Sequence, residues 1–252
     1  MRSYKNLILT GVVIAAISLF GFFNSTPSQA EKSSLTKKEV ETIIHDYIME
    51  NPFFILQAID KYQKETIQKS VSQAMEKNYR KLFENDQSPQ TDNADTADIT
   101  VVEFFDYNCG YCKRALPMVN ALIASDPKVR FIYKEFPILG PTSITAAKWA
   151  LAANKQGKYV AFHNELMTLK GSLNESKLEK IAKNIGLDIK KLKQDAESDE
   201  VKKQIEETHA IASDLNIGGT PAFLVGEEII PGGLSLDDIK KLIAEKRKAK
   251  KS

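Results

Sequence analysis

The chain has 252 residues, 42% of them hydrophobic and 27% charged, with 35 Lys and Arg against 33 Asp and Glu. These proportions describe a globular protein of one large domain or two modest ones, and they exclude collagen-like, low-complexity and wholly disordered classes. A net charge of +2 gives no long-range pull toward nucleic acid. A single long apolar run excludes a polytopic membrane protein, and two cysteines are too few for a disulfide scaffold but enough for one active site.

Arg2 and Lys5 precede an apolar run from Leu7 to Phe23, and Ser28-Gln29-Ala30 then places small residues at the positions a signal peptidase reads. The pattern predicts a cleavable signal peptide over 1–30. The alternative is an uncleaved membrane anchor, since the run reaches the lower limit for a spanning helix. No cysteine near the cut marks a lipoprotein, and cleavage leaves as many basic as acidic side chains. Export to the periplasm, or to another extracytoplasmic compartment, places the cysteines where disulfides persist.

Val40, Ile43, Ile44, Tyr47 and Ile48 recur at helical spacing until Asn51-Pro52 breaks the pattern. A second helical stripe runs from about Pro52 to Glu84, including Leu56, Ile59, Tyr62, Ile67, Met75, Tyr79, Leu82 and Phe83. A helix of about 33 residues spans about 50 Å, more than twice what a helix of about 14 covers. The surplus stripe must be buried on the following domain or on another copy of the chain, and residues 31–84 are expected to form an oligomerisation arm acting through 35–84. Gln63 and Ser70 interrupt the stripe, so a tight coiled coil is not assured. Residues 85–98 lack any large apolar residue and are expected to be a solvated linker.

Next, ITVVEFFDY from Ile99 reads as a buried strand, a helix is expected from about Gly110, and Val129 to Glu135 reads as a second strand. About 142–213 is helical, in segments divided by Gly, Asp and Ser breaks. Two short strands, Ala222–Val225 and Glu228–Ile230, are joined by Gly226-Glu227 in a tight hairpin. A last helix carries Leu236, Ile239 and Ile243 and fades into a frayed basic tail from Lys246 to Ser252.

Cys109-Gly110-Tyr111-Cys112 holds both cysteines where a strand gives way to a helix. A thiolate at a helix N-terminus meets unpaired N–H groups and the positive end of the helix dipole, so its pKa falls. Cys109 is expected to be the exposed nucleophile and Cys112, one turn into the helix, the shielded resolving thiol. A structural disulfide, half of a metal site and chance are the competing readings. His45, His163 and His209 lie far off in sequence, so a four-ligand zinc site lacks obvious ligands and no metal is expected. Gly218-Gly219-Thr220-Pro221 precedes an apolar strand, with the proline where its missing N–H does least harm.

VEFFDYNCGYCKRALP, followed about a hundred residues later by GGTPAFLVG, resembles the DsbA-like branch of the thioredoxin superfamily, over about Ile99 to Lys246. The resemblance implies an α/β thioredoxin fold over 99–252 with a helical insertion, preceded here by the helical arm. It implies that Pro221 is the cis-proline beside the cysteine pair, that Thr220 offers its backbone to a substrate chain as an added strand, and that Pro117 kinks the active-site helix. It further implies that Glu103 lies beneath the site and moves the resolving thiol's proton. Burial raises a carboxyl pKa and makes such a group a usable proton acceptor; the alternative is a partly exposed strand residue. Lys134 is the candidate charge partner of Glu103.

Gly110 and Tyr111 surround the attacking sulfur, where strongly oxidising DsbA enzymes carry Pro-His. Without that histidine the thiolate is less favoured and the disulfide a weaker oxidant. Gly-Tyr is also the pair of DsbC-like isomerases and ScsC-like proteins, which self-associate through N-terminal extensions. The expectation is a secreted thiol–disulfide oxidoreductase with isomerase activity, homo-oligomeric and without cofactor. It acts on unfolded or misfolded exported proteins and is served by a DsbB- or DsbD-like membrane redox partner. Alternatives are a monomeric dithiol oxidase, a Cu(I)-binding envelope protein, which lacks a nearby Met or His to add ligands, and an interaction protein with an inherited fold.

Overall fold

The computed structural model describes residues 35–84 and 87–250; the expected signal segment lies outside them. By its contacts the chain divides into a unit ending at Gln57 and a unit from Ala58 onward.

In the first unit, helix α1 spans Lys37–Glu50. Thr36 caps it through a capping box in which Glu39 Oε2 accepts the Thr36 N–H at 2.8 Å. Asn51 and Pro52 end it, and Asn51 Nδ2 donates to the Tyr47 carbonyl at 2.9 Å. Helix α1 buries none of its residues. Ile43, Ile44, Tyr47, Phe53, Phe54 and Leu56 are all exposed, and the rings of Tyr47 and Phe54 stack at 5.6 Å.

Helix α2, Phe53–Tyr79, runs on into a wider π-helical turn over Arg80–Glu84. Its stripe has two fates. Ile59, Tyr62 and Ile67 are exposed, whereas Ala74, Met75 and Leu82 are buried in a core with Val102, Phe104, Ile132 and Leu224. Lys77 Nζ and Asn78 Nδ2 fix this end of the helix, donating to Asp214 Oδ2 at 2.8 and 2.9 Å. Residues 74–84 thus belong to the core of the second unit. The following stretch, expected as a solvated linker, is tied down in part. The Pro89 carbonyl accepts the Tyr133 N–H at 2.8 Å, the Thr91 N–H donates to the Phe131 carbonyl at 3.0 Å, and Gln90 bridges Ile132 antiparallel. Its polar side chains suit an outermost layer that one face of solvent still wets.

Four strands form one mixed sheet: β1 Ile99–Phe105, β2 Val129–Glu135, β3 Ala222–Val225 and β4 Glu228–Pro231, in the order β2-β1-β3-β4. β1 and β2 are parallel, joined by α3 (Gly110–Ser125); β1–β3 and β3–β4 are antiparallel, the latter turned by Gly226 at φ 61°. Both β1 and β2 are buried almost throughout, as strands of a sheet covered on two faces are. Alternation sends Val101, Phe105, Phe131, Tyr133 and Phe223 to the larger core, with Leu116, Val119 and Leu122 of α3. It sends Val102, Phe104, Ile132 and Leu224 to the other face, under Ile211 and Ala212 of a later helix.

Between β2 and β3 come α4 Pro141–Asn154, α5 Tyr159–Thr168, α6 Glu175–Asn184, α7 Ile189–Ala196 and α8 Asp199–Asp214. Asn174, Asp188 and Ser198 cap α6, α7 and α8 through their side chains. The last helix, α9 Leu236–Ala249, corrects the expectation of a frayed tail. Arg247 donates to Asp126 Oδ2 at 2.7 Å and to Asp98 Oδ1 at 2.8 Å, and Lys246 meets Glu228 at 2.7 Å. The helix persists because its last turn lays Arg247 between two carboxylates.

Candidate active site

β1 delivers the chain to the cysteines through Asp106, which is 1% exposed. Its carboxylate accepts from the Asn108 N–H and Ser143 Oγ, each at 2.7 Å, and from the Ile138 and Leu139 N–H groups at 2.8 and 2.9 Å. One buried anion with four donors thereby holds the loop before Cys109 against the segment that follows β2.

Cys109 is the N-cap of α3, and its sulfur accepts the Cys112 N–H at 3.4 Å. The topology carries the Thr220-Pro221 loop over to it: the Thr220–Pro221 peptide is cis, and Cys109 Sγ donates to the Thr220 carbonyl at 3.2 Å. Burial works against a thiolate here, but hydrogen bonding from the Thr220 side chain and from the Cys112 and Tyr111 N–H groups outweighs it and holds the Cys109 thiol below its ordinary value. The expected exposed nucleophile is in fact recessed. Cys109 is 6% exposed, because the Thr220 loop closes over it, while neighbouring Gly110 and Tyr111 are open to solvent. Cys112 is 1% exposed, and burial, reinforced by the charge of Glu103, pushes its thiol well up. Both are free thiols, and their environments drive the two pKa values apart.

Glu103 is 2% exposed on the larger-core face of β1, paired in register with Tyr133 and Phe223. Burial first, then the charge of Cys109, push its carboxyl up to about 8. Lys134 is not its partner. It pairs with Phe104, one residue on, so its side chain leaves the opposite face, where Nζ donates to the Lys81 carbonyl at 3.3 Å. A single step along a strand reverses the face.

Behind this pair lies a polar cluster that the sequence left unread. Tyr107 and Tyr159 each donate to Glu135 Oε1 at 2.8 Å, and the Tyr107 hydroxyl meets His163 Nδ1 at 3.2 Å. Burial raises Glu135 well above the usual carboxyl range and lowers His163 to about 3. The signal was faint: a Glu closing an apolar strand, and a His within a helix of otherwise apolar spacing. Gly232 was also missed. Its N–H donates to the Pro221 carbonyl at 2.8 Å. Pro117 lies inside α3 and is exposed. Among the described residues no group of three or more His, Cys, Asp and Glu is placed to hold a metal, and no helix is long and apolar enough to cross a membrane.

Residues 100–244 match the family model of the DSBA-like thioredoxin domain, and residues 37–67 match that of the copper resistance protein ScsC N-terminal domain. A thioredoxin-like oxidoreductase from Silicibacter pomeroyi DSS-3 is 43% identical, with 67% of this chain and 97% of that one covered at a TM-score of 0.65. A linker-deleted variant of Proteus mirabilis ScsC is 25% identical, with 85% of this chain and 97% of that one covered at a TM-score of 0.67. Among curated proteins, a Na(+)/H(+) antiporter NhaA 1 from Salinispora arenicola is 30% identical over 131 residues; the match covers 51% of this chain but only 20% of the antiporter's length. The first match takes in β1 through most of α9, the whole of the sheet and both cysteines, so the chain belongs to the DSBA-like thioredoxin domain family, and that part of it is a thiol–disulfide oxidoreductase domain of the DsbA/ScsC type.

Proposed function

We propose that the chain exchanges disulfides in exported, unfolded or misfolded proteins, with isomerase activity, as a homo-oligomer associated through residues 35–84 in an extracytoplasmic compartment. The observation that carries the chemistry is the asymmetry of the two sulfurs, Cys109 lowered at a helix N-terminus and Cys112 raised by burial above Glu103.

The Cys109 thiolate attacks one sulfur of a substrate disulfide, forming a mixed disulfide and expelling the other sulfur as thiolate. Thr220, whose carbonyl stands beside Cys109 Sγ, offers its backbone to the substrate chain, and Gly110 and Tyr111 form the open side of the contact. If another substrate thiolate then attacks the substrate's own sulfur in the mixed disulfide, Cys109 leaves as thiolate and the net result is isomerisation. If Cys112 attacks Cys109 instead, its proton passes to the ionised form of Glu103, which gains population as the pH approaches 8, the substrate leaves reduced, and the pair becomes oxidised. Recharging the pair in either direction falls to a membrane thiol partner.

Gly-Tyr between the cysteines and the uncovered apolar faces of α1 and early α2 support isomerisation by several sites held together. Reactivation of a scrambled multi-disulfide protein by the chain, abolished by Cys109→Ser, is the expected result. Rapid oxidation of a reduced substrate without reactivation would instead make it a dithiol oxidase.

A further inference from the structure

We propose that the rim of the cysteine pair is a cationic collar that selects polypeptide segments carrying acidic residues beside the target cysteine, an inference that rests on the exchange reaction proposed above. Arg114 lies one turn along α3 from Gly110. Its guanidinium carbon stands 4.3 Å from the centre of the exposed Tyr111 ring, and its Nη1 is 3.5 Å from where a Gly110 side chain would begin. The fork therefore lies over the two residues between the cysteines, and its contact with the Tyr111 ring keeps it ordered.

Lys113 and Lys177 extend the charge. Lys113 Nζ donates to the Leu169 carbonyl at 3.0 Å, and Lys177 Nζ donates to the carbonyls of Lys170 and Ser172 at 3.3 and 2.8 Å. These carbonyls orient the ammonium groups without neutralising them. Burial, and then the charge of Lys177, pull the Lys113 pKa down, so the two cations feel each other. Among the described residues none of these three cations has a carboxylate oxygen within 4.0 Å. Glu175 and Glu179, on the same helix as Lys177, are both engaged with Lys193. Elsewhere on the surface, Lys148, Lys155 and Arg247 are each matched to an acid. Uncompensated like charge beside a nucleophile is stabilised by an arriving anion, and an ordered guanidinium accepts a carboxylate on two N–H groups.

The test uses the full chain and two disulfide-bearing peptides that differ only in carrying Glu or Gln beside the cysteine. Each exchange rate is divided by that of dithiothreitol with the same peptide, which removes the peptide's own reactivity. The Glu peptide is expected to react about tenfold faster at low salt, with the ratio falling toward one at high salt. Arg114→Glu should bring the ratio below one, and Arg114→Lys should keep it above one. Equal rates for the two peptides at low salt, or a ratio that ignores both salt and Arg114→Glu, would overturn the collar alone. Exchange with neither peptide would overturn the oxidoreductase reading and the collar with it.

Discussion

A side chain at position 232 would place its first carbon 2.7 Å from both the Cγ and the carbonyl oxygen of Pro221. Gly232→Ala must therefore push the proline loop away, and with it the Thr220 carbonyl that stands 3.2 Å from Cys109 Sγ. Such overpacking costs about 1–3 kcal/mol of stability. The expected signature beyond that loss is a shifted pH profile for alkylation of Cys109, because the Thr220 side chain, one of the groups holding its thiol down, moves with the loop. Glu103 gives a second prediction with a definite sign. Its carboxyl is raised from an ordinary 4.5 to about 8. Below pH 4.5 folded and unfolded chains both hold the proton; between 4.5 and 8 only the folded chain keeps it, so stability falls as pH rises through that window. Glu103→Gln removes the slope, and its advantage in unfolding free energy should grow to about 4–5 kcal/mol by pH 8 and then level. The same variant should slow release of the mixed disulfide by about a hundredfold. Glu103 was visible in the sequence only as an acid within an apolar run; its face, and the exclusion of Lys134, required the register of β1 against β2.

At the scale of elements, the sequence placed the strands and helix breaks well because each carries its own local chemistry: β-branched runs, Asn-Pro at a break, Gly226 in the hairpin. It could not divide the stripe of α2, because a 3.6-residue period shows an apolar face and not what covers it. The structure buries Leu82 fully and leaves Ile43, Ile44 and Ile59 about half exposed. Replacing Ile43 and Ile44 together by Glu should accordingly leave the melting of the unit from Ala58 onward unchanged while reducing the sedimenting species to a single chain. An unchanged oligomer would remove the arm from the proposal. The buried cluster of Glu135, Tyr107, Tyr159 and His163 stayed hidden for a related reason: its members come from three separate segments, and only Tyr159 and His163, one turn apart on α5, share a local spacing.

Across the whole molecule, one crossover fold gathers chemistry that the chain scatters, bringing Thr220 to a sulfur 111 residues earlier. A motif pair announced that meeting; the collar and the proline's glycine neighbour were not announced, because surface lysines and turn glycines are common everywhere. The same topology leaves the sheet with two rims, β2 and β4. β4 is four residues long and ends in Pro231, which has no N–H to donate. Residues 89–91 lie along β2 and occupy part of its outer row of donors and acceptors. Bare rims are templates on which extended chains stack into fibrils. On the proposed function the chain meets unfolded polypeptide at close range, and this hemmed sheet offers such chains little to seed on.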